Sequence, residues 1–458
     1  MNNIDNIIAK QREFFMSGAT LPISFRIKYM KKLYLAIEKN ENKIAEALKK
    51  DLGKGAYESY MCEVGIALSE LTHMIKRVKK YSSEKRVSTP IVQFAAKSYT
   101  KPTPRGNVLI MSPWNYPFLL TVEPLTDALA AGNTAILKPS EYSPETSRVL
   151  CELISECFPP EYVTVIIGDM DVSAELVKKK FDLIFFTGSQ NVGKSILRRA
   201  AEDLIPVVLE LGGKSPCIVE ESAKIKLAAK RIVSGKYLNC GQTCIAPDYI
   251  LCARSVKDRL ISEIKKQIVL QYGENPIADE AYGRMVNERH FDRVCGLIDE
   301  SKVVFGGERD RAGLKIAPTV IDGVTWEDPI MGEEIFGPLL PILTYDSFDE
   351  IFTLLQGKPK PLALYIFSEN KKRIKAVTER IAYGGGCVND VVLHLVSCEM
   401  GFGGVGDSGM GAYHGKAGFD TFSHTKSIID KKTWFDMPLR YRPYKKGLIE
   451  WLIRTFLR

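Results

Sequence analysis

Two residues of the sequence could carry out covalent chemistry at a carbonyl carbon. Cys244 lies in the run 239–247, between a turn that contains glycine and a short apolar stretch, and Glu210 precedes it by 34 residues. A thiol can attack a carbonyl carbon, and a carboxylate can later activate a water molecule. The pair therefore indicates a reaction through a covalent thio-intermediate, with the alternative that Cys244 is an inert buried thiol.

The other cysteines and the histidines show no spacing typical of a disulfide framework or a metal site. Ten cysteines scattered along the chain are typical of a reducing compartment, and we expect no metal. Cys240 is either a core residue or a partner that forms a disulfide with Cys244 under oxidation. Six further cysteines are predicted to be inert core residues: Cys62, Cys151, Cys157, Cys217, Cys252 and Cys295.

The composition is that of an ordinary globular protein. At 458 residues the chain is long enough for about two or three domains with large cores. Its net charge of +8 is modest, and no aromatic or zinc-finger pattern accompanies the basic residues, so we expect no nucleic-acid partner. The start resembles no secretory leader and no run is long enough to span a membrane, so the cytoplasm is the expected compartment.

The last segment, residues 434–458, mixes aromatic and basic side chains. Residues 448–458 could form a short basic amphipathic helix in peripheral contact with a membrane surface. Packing of this tail on the body of the protein or on a partner subunit is the alternative that we favour.

Residues 1 to about 80 are predicted to be helical, because apolar residues recur at steps of three and four along one face. That face comprises Met61, Val64, Leu68, Leu71, Ile75 and Val78. Residues 82–104 are predicted to form an extended excursion or hairpin.

Apolar strands alternate with helices after residue 107. The predicted strands are 107–111, 134–137, 163–167, 183–186 and 207–209. A second series follows, with strands at 217–219 and 249–252 and helices near 224–238 and 255–270. The alternation predicts two α/β units with parallel sheets, a hinge at 211–213, and ligand sites at the carboxyl ends of the strands.

The glycine-rich run 401–406 satisfies the letter pattern of a dinucleotide fingerprint. No convincing strand precedes it and no helix follows, so we reject it as a phosphate site. A glycine-dense loop that shapes a pocket or a domain crossing is the expectation.

Two other turns are better placed to hold a dinucleotide. One follows the strand that ends at 186 and precedes a helix predicted from residue 195; it is either a pyrophosphate site or a plain turn with Ser189 as the N-cap. Its small residues are Thr187, Gly188, Ser189 and Gly193. The other follows the strand that ends at 137, where Lys138 and Glu141 could hold ribose hydroxyls.

Six motifs occur in an order that resembles the NAD(P)-dependent aldehyde dehydrogenase superfamily, and the resemblance covers roughly residues 105–425. The motifs lie at residues 113–117, 138–141, 186–189, 209–214, 241–244 and 333–338. Within the superfamily the chain is similar to the class 3 group, which includes fatty aldehyde dehydrogenases. Segments 389–394, 403–411 and 413–416 carry this closer resemblance.

The resemblance implies a role for each catalytic residue. Cys244 would be the nucleophile that forms a thiohemiacetal and then a thioester, and Glu210 would activate the water that hydrolyses the thioester. The side-chain amide of Asn115 and the backbone N–H of Cys244 would bind the oxyanion. Because an exposed glutamate is a poor base near neutral pH, we expect burial to raise the pKa of Glu210.

The resemblance also implies the cofactor, NAD, with NADP as the alternative. Lys138 and Glu141 would bind the adenosine ribose, and Glu334 and Phe336 would hold the nicotinamide ribose and ring. The full set of expected cofactor-binding residues is Trp114, Lys138, Glu141, Thr187, Gly188, Ser189, Gly193, Leu211, Gly212, Glu334 and Phe336.

The architecture that the resemblance implies is α/β, with a Rossmann-like nucleotide-binding domain, an α/β catalytic domain and a small β oligomerisation bridge. The expected boundaries are 1–81 and 103–211 for the NAD(P)-binding domain and 212–420 for the catalytic domain. The bridge would comprise 82–102 and 421–433, and 434–458 would be the tail. The bridge implies a homodimer.

The expected reaction is oxidation of a medium- or long-chain aliphatic aldehyde, or of an aromatic one, to a carboxylic acid. Gly401 and Cys398 depart from the proline and the second histidine common in class 3, at positions that shape the aldehyde entrance. The alternative function is a cofactor-independent thiol hydrolase or acyltransferase that uses Cys244. An acylating dehydrogenase that releases its product to coenzyme A is a closer variant, and Glu210 favours hydrolysis instead.

Overall fold

The computed structural model describes residues 3–436, 440–443, 447, 450–451 and 454–455. Within this part of the chain no helix is long and apolar enough to cross a membrane. The α-helices are, in chain order, α1 (Asn3–Met16), α2 (Ile23–Lys39), α3 (Glu41–Leu52), α4 (Ala56–Ser59), α5 (Gly65–Tyr81), α6 (Leu119–Ala131), α7 (Pro144–Cys157), α8 (Met170–Val177), α9 (Gln190–Glu202), α10 (Ile225–Tyr237), α11 (Lys257–Tyr272), α12 (Glu288–Cys295), α13 (Pro329–Gly332), α14 (Glu350–Leu355), α15 (Lys371–Arg380) and α16 (Gly415–Thr421).

The strands form three larger sheets and one two-stranded ribbon. They are, in chain order, β1 (Lys85–Val87), β2 (Ala96–Pro104), β3 (Asn107–Met111), β4 (Thr134–Lys138), β5 (Val163–Val165), β6 (Leu183–Gly188), β7 (Val207–Leu211), β8 (Pro216–Val219), β9 (Tyr249–Ala253), β10 (Val303–Phe305), β11 (Arg309–Asp310), β12 (Lys315–Ile316), β13 (Thr319–Ile321), β14 (Leu339–Tyr345), β15 (Ala363–Phe367), β16 (Gly385–Val388), β17 (Gly409–Met410) and β18 (Ser423–Lys431).

A six-stranded sheet has the order β17-β7-β6-β3-β4-β5, and all its pairs are parallel except that of β17 with β7. The predicted parallel sheet is therefore confirmed. Strands β6 and β7 run two residues further than predicted, to Gly188 and Leu211, and β5 ends two residues earlier, at Val165. The extension places Thr187 and Glu210 inside the sheet as direct neighbours.

A seven-stranded sheet has the order β10-β13-β14-β9-β8-β15-β16, in which only β10 is antiparallel to its neighbour. The predicted strands near 217–219 and 249–252 and the two predicted helices are present as β8, β9, α10 and α11. Residues 212–215 connect β7 of the first sheet to β8 of the second. The predicted hinge thus lies between the two parallel sheets.

A three-stranded antiparallel sheet, β1-β2-β18, joins the two segments predicted as a β bridge. β2 and β18 pair in continuous register from Ser423 opposite Pro104 to Lys431 opposite Ala96. Most side chains of β18 are exposed. The predicted extended excursion at 82–104 is therefore two strands, β1 and β2, of this sheet.

Of the N-terminal helices, α1 packs directly on β3 and β4 of the first parallel sheet, whereas α5 contacts α2 and α6. The predicted apolar face is correct for Val64, Leu71 and Val78, which are fully buried. It is wrong for Met61, which is 44 % exposed. A π-helical turn, Tyr60–Val64, precedes α5, and its wider winding rotates Met61 away from the face that a regular helix would give it.

The glycine-rich loop before α16 packs against β7, and it contains no helix. Gly409 pairs with Glu210, and a Cβ atom at Gly409 would lie 2.1 Å from the carbonyl oxygen of Leu209. Its φ of +141° also disfavours any side chain. The loop therefore needs glycine for close backbone approach to the strand that carries Glu210.

We expect Gly409→Ala to destabilise the fold by about 1–3 kcal/mol, because both the backbone conformation and the contact with Leu209 become strained. Thermal unfolding measures the effect. Gly296→Ala is the matched control, since Gly296 has a helical φ of −67° and its nearest non-neighbouring atom lies at an ordinary 3.4 Å. Equal melting temperatures for the two variants would contradict the prediction.

Candidate active site

An apolar cavity of about 410 Å³ lies at the carboxyl ends of β6 and β7. This is the edge of a parallel sheet at which ligands bind in α/β proteins. Most of the residues predicted from the sequence lie together in its wall. They are Trp114, Asn115, Thr187, Gly188, Ser189, Glu210, Leu211, Gly212, Cys244, Glu334 and Phe336.

Cys244 follows a turn with unusual backbone geometry. Asn239, Cys240 and Gly241 have left-handed φ values of 50°, 54° and 72°. A Cβ atom at Gly241 would lie 2.2 Å from the carbonyl oxygen of Gly337. Glycine at this position therefore lets the cysteine turn approach the loop that carries Glu334.

The Cys244 thiol is half-buried in the wall of the apolar cavity. Burial raises its pKa above the ordinary value, and the nearby carboxylates of Glu334 and Glu210 raise it further. The backbone N–H groups of Cys244 and Ile245 act in the opposite direction, since they can donate to a thiolate. The thiol is therefore protonated near neutral pH, and a base must take its proton before it attacks.

Glu210 is a candidate base for proton transfer in the same cavity wall. Its side chain is 2 % exposed, and within the described residues neither carboxylate oxygen has a hydrogen-bond partner. Burial raises its pKa well above the usual range of a glutamate, as the sequence analysis predicts. A buried polar group with no partner requires an explanation, and a role in proton transfer supplies one.

Asn115 brings an amide to the same cavity. The side chain is 3 % exposed, and its Nδ2 donates to the carbonyl oxygen of Gln242 at 3.0 Å. Gln242 lies two residues before Cys244, so this bond ties the loop after β3 to the cysteine turn. The amide is in position to act as a hydrogen-bond donor beside the thiol.

Glu334 lies in the same cavity wall, on the loop after α13. Its carboxylate rests against the backbone of Gly212, where a Cβ atom would be 1.9 Å from Oε2. Burial, followed by the charge of Asp248, raises its pKa to about 8. Asp248 also accepts a hydrogen bond from the N–H of Ile335 at 2.9 Å, and Lys214 donates to the carbonyl of Glu333 at 2.8 Å.

Three aromatic rings cluster at this end of the cavity. Trp114 contacts Phe336 edge to face with ring centroids 5.4 Å apart, and His290 with centroids 5.2 Å apart. Burial lowers the pKa of His290 to about 4, so its ring is neutral. Such a cluster presents an apolar surface of the kind against which a planar ring can pack.

The turn after β6 has features of a dinucleotide site. Helix α9 begins at Gln190, five residues earlier than predicted, and the Ser189 side chain occupies the N-cap position without making a capping bond. The Thr187 hydroxyl is buried without a partner within the described residues. The N-terminus of α9 and this free hydroxyl suit a dinucleotide, because both can bind oxygen atoms of a ligand.

Three predicted cofactor residues lie outside the cavity wall. A Cβ atom at Gly193 would lie 2.8 Å from Leu211 Cδ2, so this glycine serves close packing of α9 on β7. Lys138 ends β4, and its Nζ donates to the carbonyl of Pro139 at 2.9 Å. Glu141 lies 3.8 Å from the same ammonium group.

Several cavity residues come from parts of the chain outside the predicted motifs. Met61, Cys62 and Ile66 reach it from the N-terminal helices, and apolar side chains reach it from residues 392–396. The prediction that Cys62 is a core residue is wrong, because Cys62 is half-buried and lines the cavity. Phe402 and Tyr413, which pair across the glycine-rich loop, also line it, so this loop does shape a pocket.

The remaining cysteines are all unpaired. Cys240 is a core residue: it is fully buried, and its Sγ lies 3.6 Å from the Tyr282 hydroxyl. Cys157, Cys217 and Cys252 are buried as predicted, whereas Cys151 and Cys295 are partly exposed. The described ranges contain no group of side chains that could hold a metal ion.

Comparisons with known proteins agree with this geometry. Residues 1–428 match the model of the aldehyde dehydrogenase family. A 4,4'-diaponeurosporen-aldehyde dehydrogenase of Staphylococcus aureus is 48 % identical over 447 residues, which cover 97 % of each chain. Aldehyde dehydrogenase family 3 member A2 of Pongo abelii is 42 % identical over 446 residues, 97 % of this chain and 92 % of the relative.

Solved structures show the same likeness. The substrate-bound AldH of Staphylococcus aureus superposes with a TM-score of 0.98 at 46 % identity, with full coverage of both chains. An indole-3-acetaldehyde dehydrogenase in complex with NAD+ has a TM-score of 0.85 at 28 % identity, over 93 % of this chain and 88 % of the other. Nothing in the comparisons supports the cofactor-independent hydrolase. The chain belongs to the aldehyde dehydrogenase family and is an NAD(P)-dependent oxidoreductase that converts aldehydes to carboxylic acids.

Proposed function

We propose that this enzyme oxidises apolar aldehydes of medium or long chain, with Cys244 as nucleophile, Glu210 as base and Asn115 as oxyanion donor. The observation that carries the proposal is that these three side chains lie in the wall of one apolar cavity. Their chemistry is complementary, because one attacks carbon, one moves protons and one stabilises negative charge.

The first step is attack of the Cys244 sulfur on the aldehyde carbon. The thiol proton passes to water before the carbon–sulfur bond forms, and the carbonyl oxygen gains negative charge as its π bond to carbon breaks. The Asn115 amide, which donates to the carbonyl of Gln242 in this structure, is the side-chain donor for that oxygen. The backbone N–H of Cys244 is the second donor.

The residues present fit a nicotinamide dinucleotide. The free Thr187 hydroxyl and the α9 N-terminus suit the phosphates, and Glu334 and Phe336 suit the nicotinamide ribose and ring. When bound, the cofactor supplies the hydride acceptor that turns the thiohemiacetal on Cys244 into a thioester. Trp114, Leu211 and Gly212 complete the wall on that side.

Glu210 then acts on the thioester. Because burial raises its pKa, the carboxylate is a stronger base than an exposed glutamate and can take a proton from water. The resulting hydroxide attacks the thioester carbon, and the Cys244 sulfur leaves with the proton returned to it. Hydrolysis releases the carboxylic acid and restores the free thiol.

The substrate class follows from the wall of the cavity. Apart from the catalytic groups, its side chains on the N-terminal side are Met61, Cys62, Ile66, Leu119 and Leu120, and those on the C-terminal side are Leu393, Leu395, Val396 and Phe402. Such a surface binds a hydrocarbon chain by the hydrophobic effect. The name of the Staphylococcus aureus relative, a 4,4'-diaponeurosporen-aldehyde dehydrogenase, is consistent with this class.

NAD is the cofactor that we favour, with NADP as the alternative. Lys138 and Glu141 follow β4, where they would meet the adenosine ribose. The Glu141 carboxylate repels a 2′-phosphate, whereas the Lys138 ammonium attracts one. The ion pair between them, at 3.8 Å, leaves neither charge dominant. A rat relative is named as NADP-preferring, so both cofactors belong in any assay.

The domain boundaries remain a proposal. The six-stranded sheet supports a nucleotide-binding domain of residues 1–81 and 103–211, and the seven-stranded sheet supports a catalytic domain of residues 212–420. The three-stranded sheet supports a bridge of 82–102 and 421–433. β17 crosses this division, since it belongs in sequence to the catalytic range and pairs with β7.

The three-stranded bridge supports a homodimer. Its exposed apolar side chains include Ile91, Phe94 and Ile429, and burial of such side chains in an interface is favourable. A relative is named as dimeric.

Ten unpaired cysteines support a reducing compartment, and the cytoplasm is the compartment that we propose. Much of the tail, including 444–446, 448–449, 452–453 and 456–458, lies outside the described residues, and we favour packing of the tail over membrane contact.

A panel of straight-chain aldehydes from propanal to decanal tests the proposed function with NAD and NADP in parallel. Formation of reduced nicotinamide, followed by absorbance, should give a kcat/KM that rises about three- to fourfold per methylene, because each buried CH₂ contributes about 0.8 kcal/mol. A flat series would contradict the apolar substrate class.

Cys244→Ala in the same assay tests the nucleophile. We expect kcat to fall by at least about 10⁴-fold, because no covalent adduct can form. Cys151→Ala, which removes a partly exposed thiol on α7, is the control and should retain activity. Full turnover by Cys244→Ala would exclude its role.

Glu210→Gln should separate the two halves of the reaction. We expect one burst of reduced cofactor per active site, followed by a steady rate at least about 10²-fold below wild type, because the thioester forms but is not hydrolysed. Mass spectrometry of the stalled enzyme should show an added acyl group. Steady turnover at the wild-type rate would rule out Glu210 as the required base.

The pH dependence of Cys244 alkylation tests the electrostatics of the site. Both carboxylates raise the pKa of the thiol, so Glu334→Gln and Glu210→Gln should each move the midpoint of iodoacetamide inactivation to lower pH. The larger shift is expected for Glu334, the stronger of the two charge effects. Glu333→Gln, whose side chain pairs with Arg293, is the control and should leave the midpoint unchanged.

A further inference from the structure

A fully buried ion pair lies behind the loop that carries Asn115. Lys54 and Glu63 are both 0 % exposed, and the Lys54 Nζ lies 2.5 Å from the Glu63 Oε1. Neither residue is part of the cavity wall. Both come from the N-terminal helical region, which the sequence analysis treated only as a packing element.

Lys54 reaches the loop after β3 directly. Its Nζ donates to the backbone carbonyl oxygen of Asn115 at 2.8 Å. The same ammonium group lies 3.9 Å from the centre of the Tyr116 ring, a cation–π contact with the next residue. Tyr116 in turn forms a 2.7 Å hydrogen bond with the Thr243 hydroxyl, beside Cys244. One ammonium group thus fixes two consecutive residues of the loop.

Glu63 holds the other end of the same loop. Its Oε2 accepts hydrogen bonds from the backbone N–H groups of Phe118 and Leu119, at 2.9 and 3.1 Å. These residues lie at the start of α6, where backbone N–H groups have no partner within the helix. The ion pair therefore contacts the loop at Asn115 and again three residues later.

The carbonyl oxygen of Asn115 also accepts a bond from the cysteine turn. Asn239 Nδ2 donates to it at 2.8 Å, and the N–H of Asn239 donates to the carboxylate of the half-buried Glu58 at 2.7 Å. Asn239 has a left-handed φ of 50°. Lys54 and Asn239 therefore both donate to the carbonyl oxygen of Asn115. This oxygen joins the loop that carries the Asn115 amide to the turn that precedes the backbone N–H of Cys244.

The energetics favour a role other than stability. Desolvation of two charges offsets most of their attraction, and buried ion pairs are often no more stable than apolar residues of the same volume. The same desolvation makes the geometry stringent, since every hydrogen bond must be satisfied. Here the bonds that satisfy the pair all end on the backbone of one loop.

We propose that Lys54 and Glu63 are positioning residues for the oxyanion site. They hold the Asn115 backbone so that its side-chain amide and the Cys244 N–H converge on the oxygen of the thiohemiacetal. This inference rests on the proposed roles of Asn115 and Cys244. Displacement of a preorganised donor weakens transition-state stabilisation more than aldehyde binding, because the aldehyde is held by apolar contacts.

The test variant is Lys54→Met combined with Glu63→Gln, which removes both charges of the ion pair, so that Glu63 is not left buried without its cation. The rate of reduced-cofactor formation in a single turnover should fall about 10- to 100-fold, within the effect of losing an oxyanion donor. The KM of a medium-chain aldehyde should change less than about threefold, since the cavity wall is unchanged.

A double-mutant cycle with Asn115→Ala separates positioning from general destabilisation. If the ion pair acts through Asn115, the same two substitutions should lower the single-turnover rate less than about threefold in the Asn115→Ala background. An equal loss in both backgrounds would overturn the proposal. If Asn115→Ala by itself retains the wild-type rate, the proposed oxyanion role fails instead, and the two failures are distinguishable.

Glu220→Gln is the matched control for loss of a buried charge. Glu220 is fully buried and pairs with Arg373, and it is no part of the cavity wall. It should lower the melting temperature while the single-turnover rate stays at the wild-type value. A loss of rate in this control equal to that in the test variant would also overturn the proposal.

Asn239→Gly provides a second route to the same carbonyl if the charge-free variant does not fold. Glycine accepts the left-handed φ, and the substitution removes the donor to Asn115 without touching the ion pair. The rate should fall in the wild-type background and change little with Asn115→Ala. A rate loss of the same size in both backgrounds would contradict the positioning role.

Discussion

The cost of keeping charged groups in an apolar cavity governs this active site. Glu210 is 2 % exposed with no hydrogen-bond partner within the described residues, and the charge of Glu334 acts on the same thiol. Desolvation raises the pKa of both carboxyl groups and of Cys244. An arrangement of this kind is unfavourable unless the backbone prevents the side chains from moving toward water. The remaining features of the site supply that restraint.

The restraint comes from strands and from strained turns. Glu210 is held on β7 between β6 and β17, with buried leucines at 209 and 211 on the opposite face of the strand. Cys244 and Glu334 lie on loops instead. Positive φ values occur at the non-glycine residues Asn239 and Cys240 before Cys244, and at Phe336 after Glu334. Such conformations cost about 1–3 kcal/mol each and persist only where surrounding contacts fix them. The close approach of Gly241 to Gly337 is such a contact.

The elements that were predicted correctly are those whose residues form a local pattern in the sequence. Alternating strands and helices indicated both parallel sheets, and six ordered motifs identified the residues at their carboxyl ends. Strand ends were less predictable: β6 and β7 continue through Thr187 and Glu210 because neighbouring strands pair with them, although neither residue is apolar. The start of helix α9 was predicted five residues too late. Its first residues are mostly polar and show no apolar period, so the sequence pattern did not reveal them.

The substrate side of the cavity was not predictable in the same way. Met61 follows the apolar period of α5 in sequence, and a regular helix would bury it with Val64 and Leu68. The π-helical turn at Tyr60–Val64 breaks that phase, so Met61 and Cys62 face the cavity while Glu63 points to Lys54. One irregular turn thus divides consecutive residues between substrate contact and the ion pair. In the sequence, Lys54 and Glu63 are two charged residues of a helical region. Only their hydrogen bonds to residues 115–119 connect them to catalysis. Bonds between residues more than 50 positions apart leave no local period in the sequence, so they could not be predicted from it.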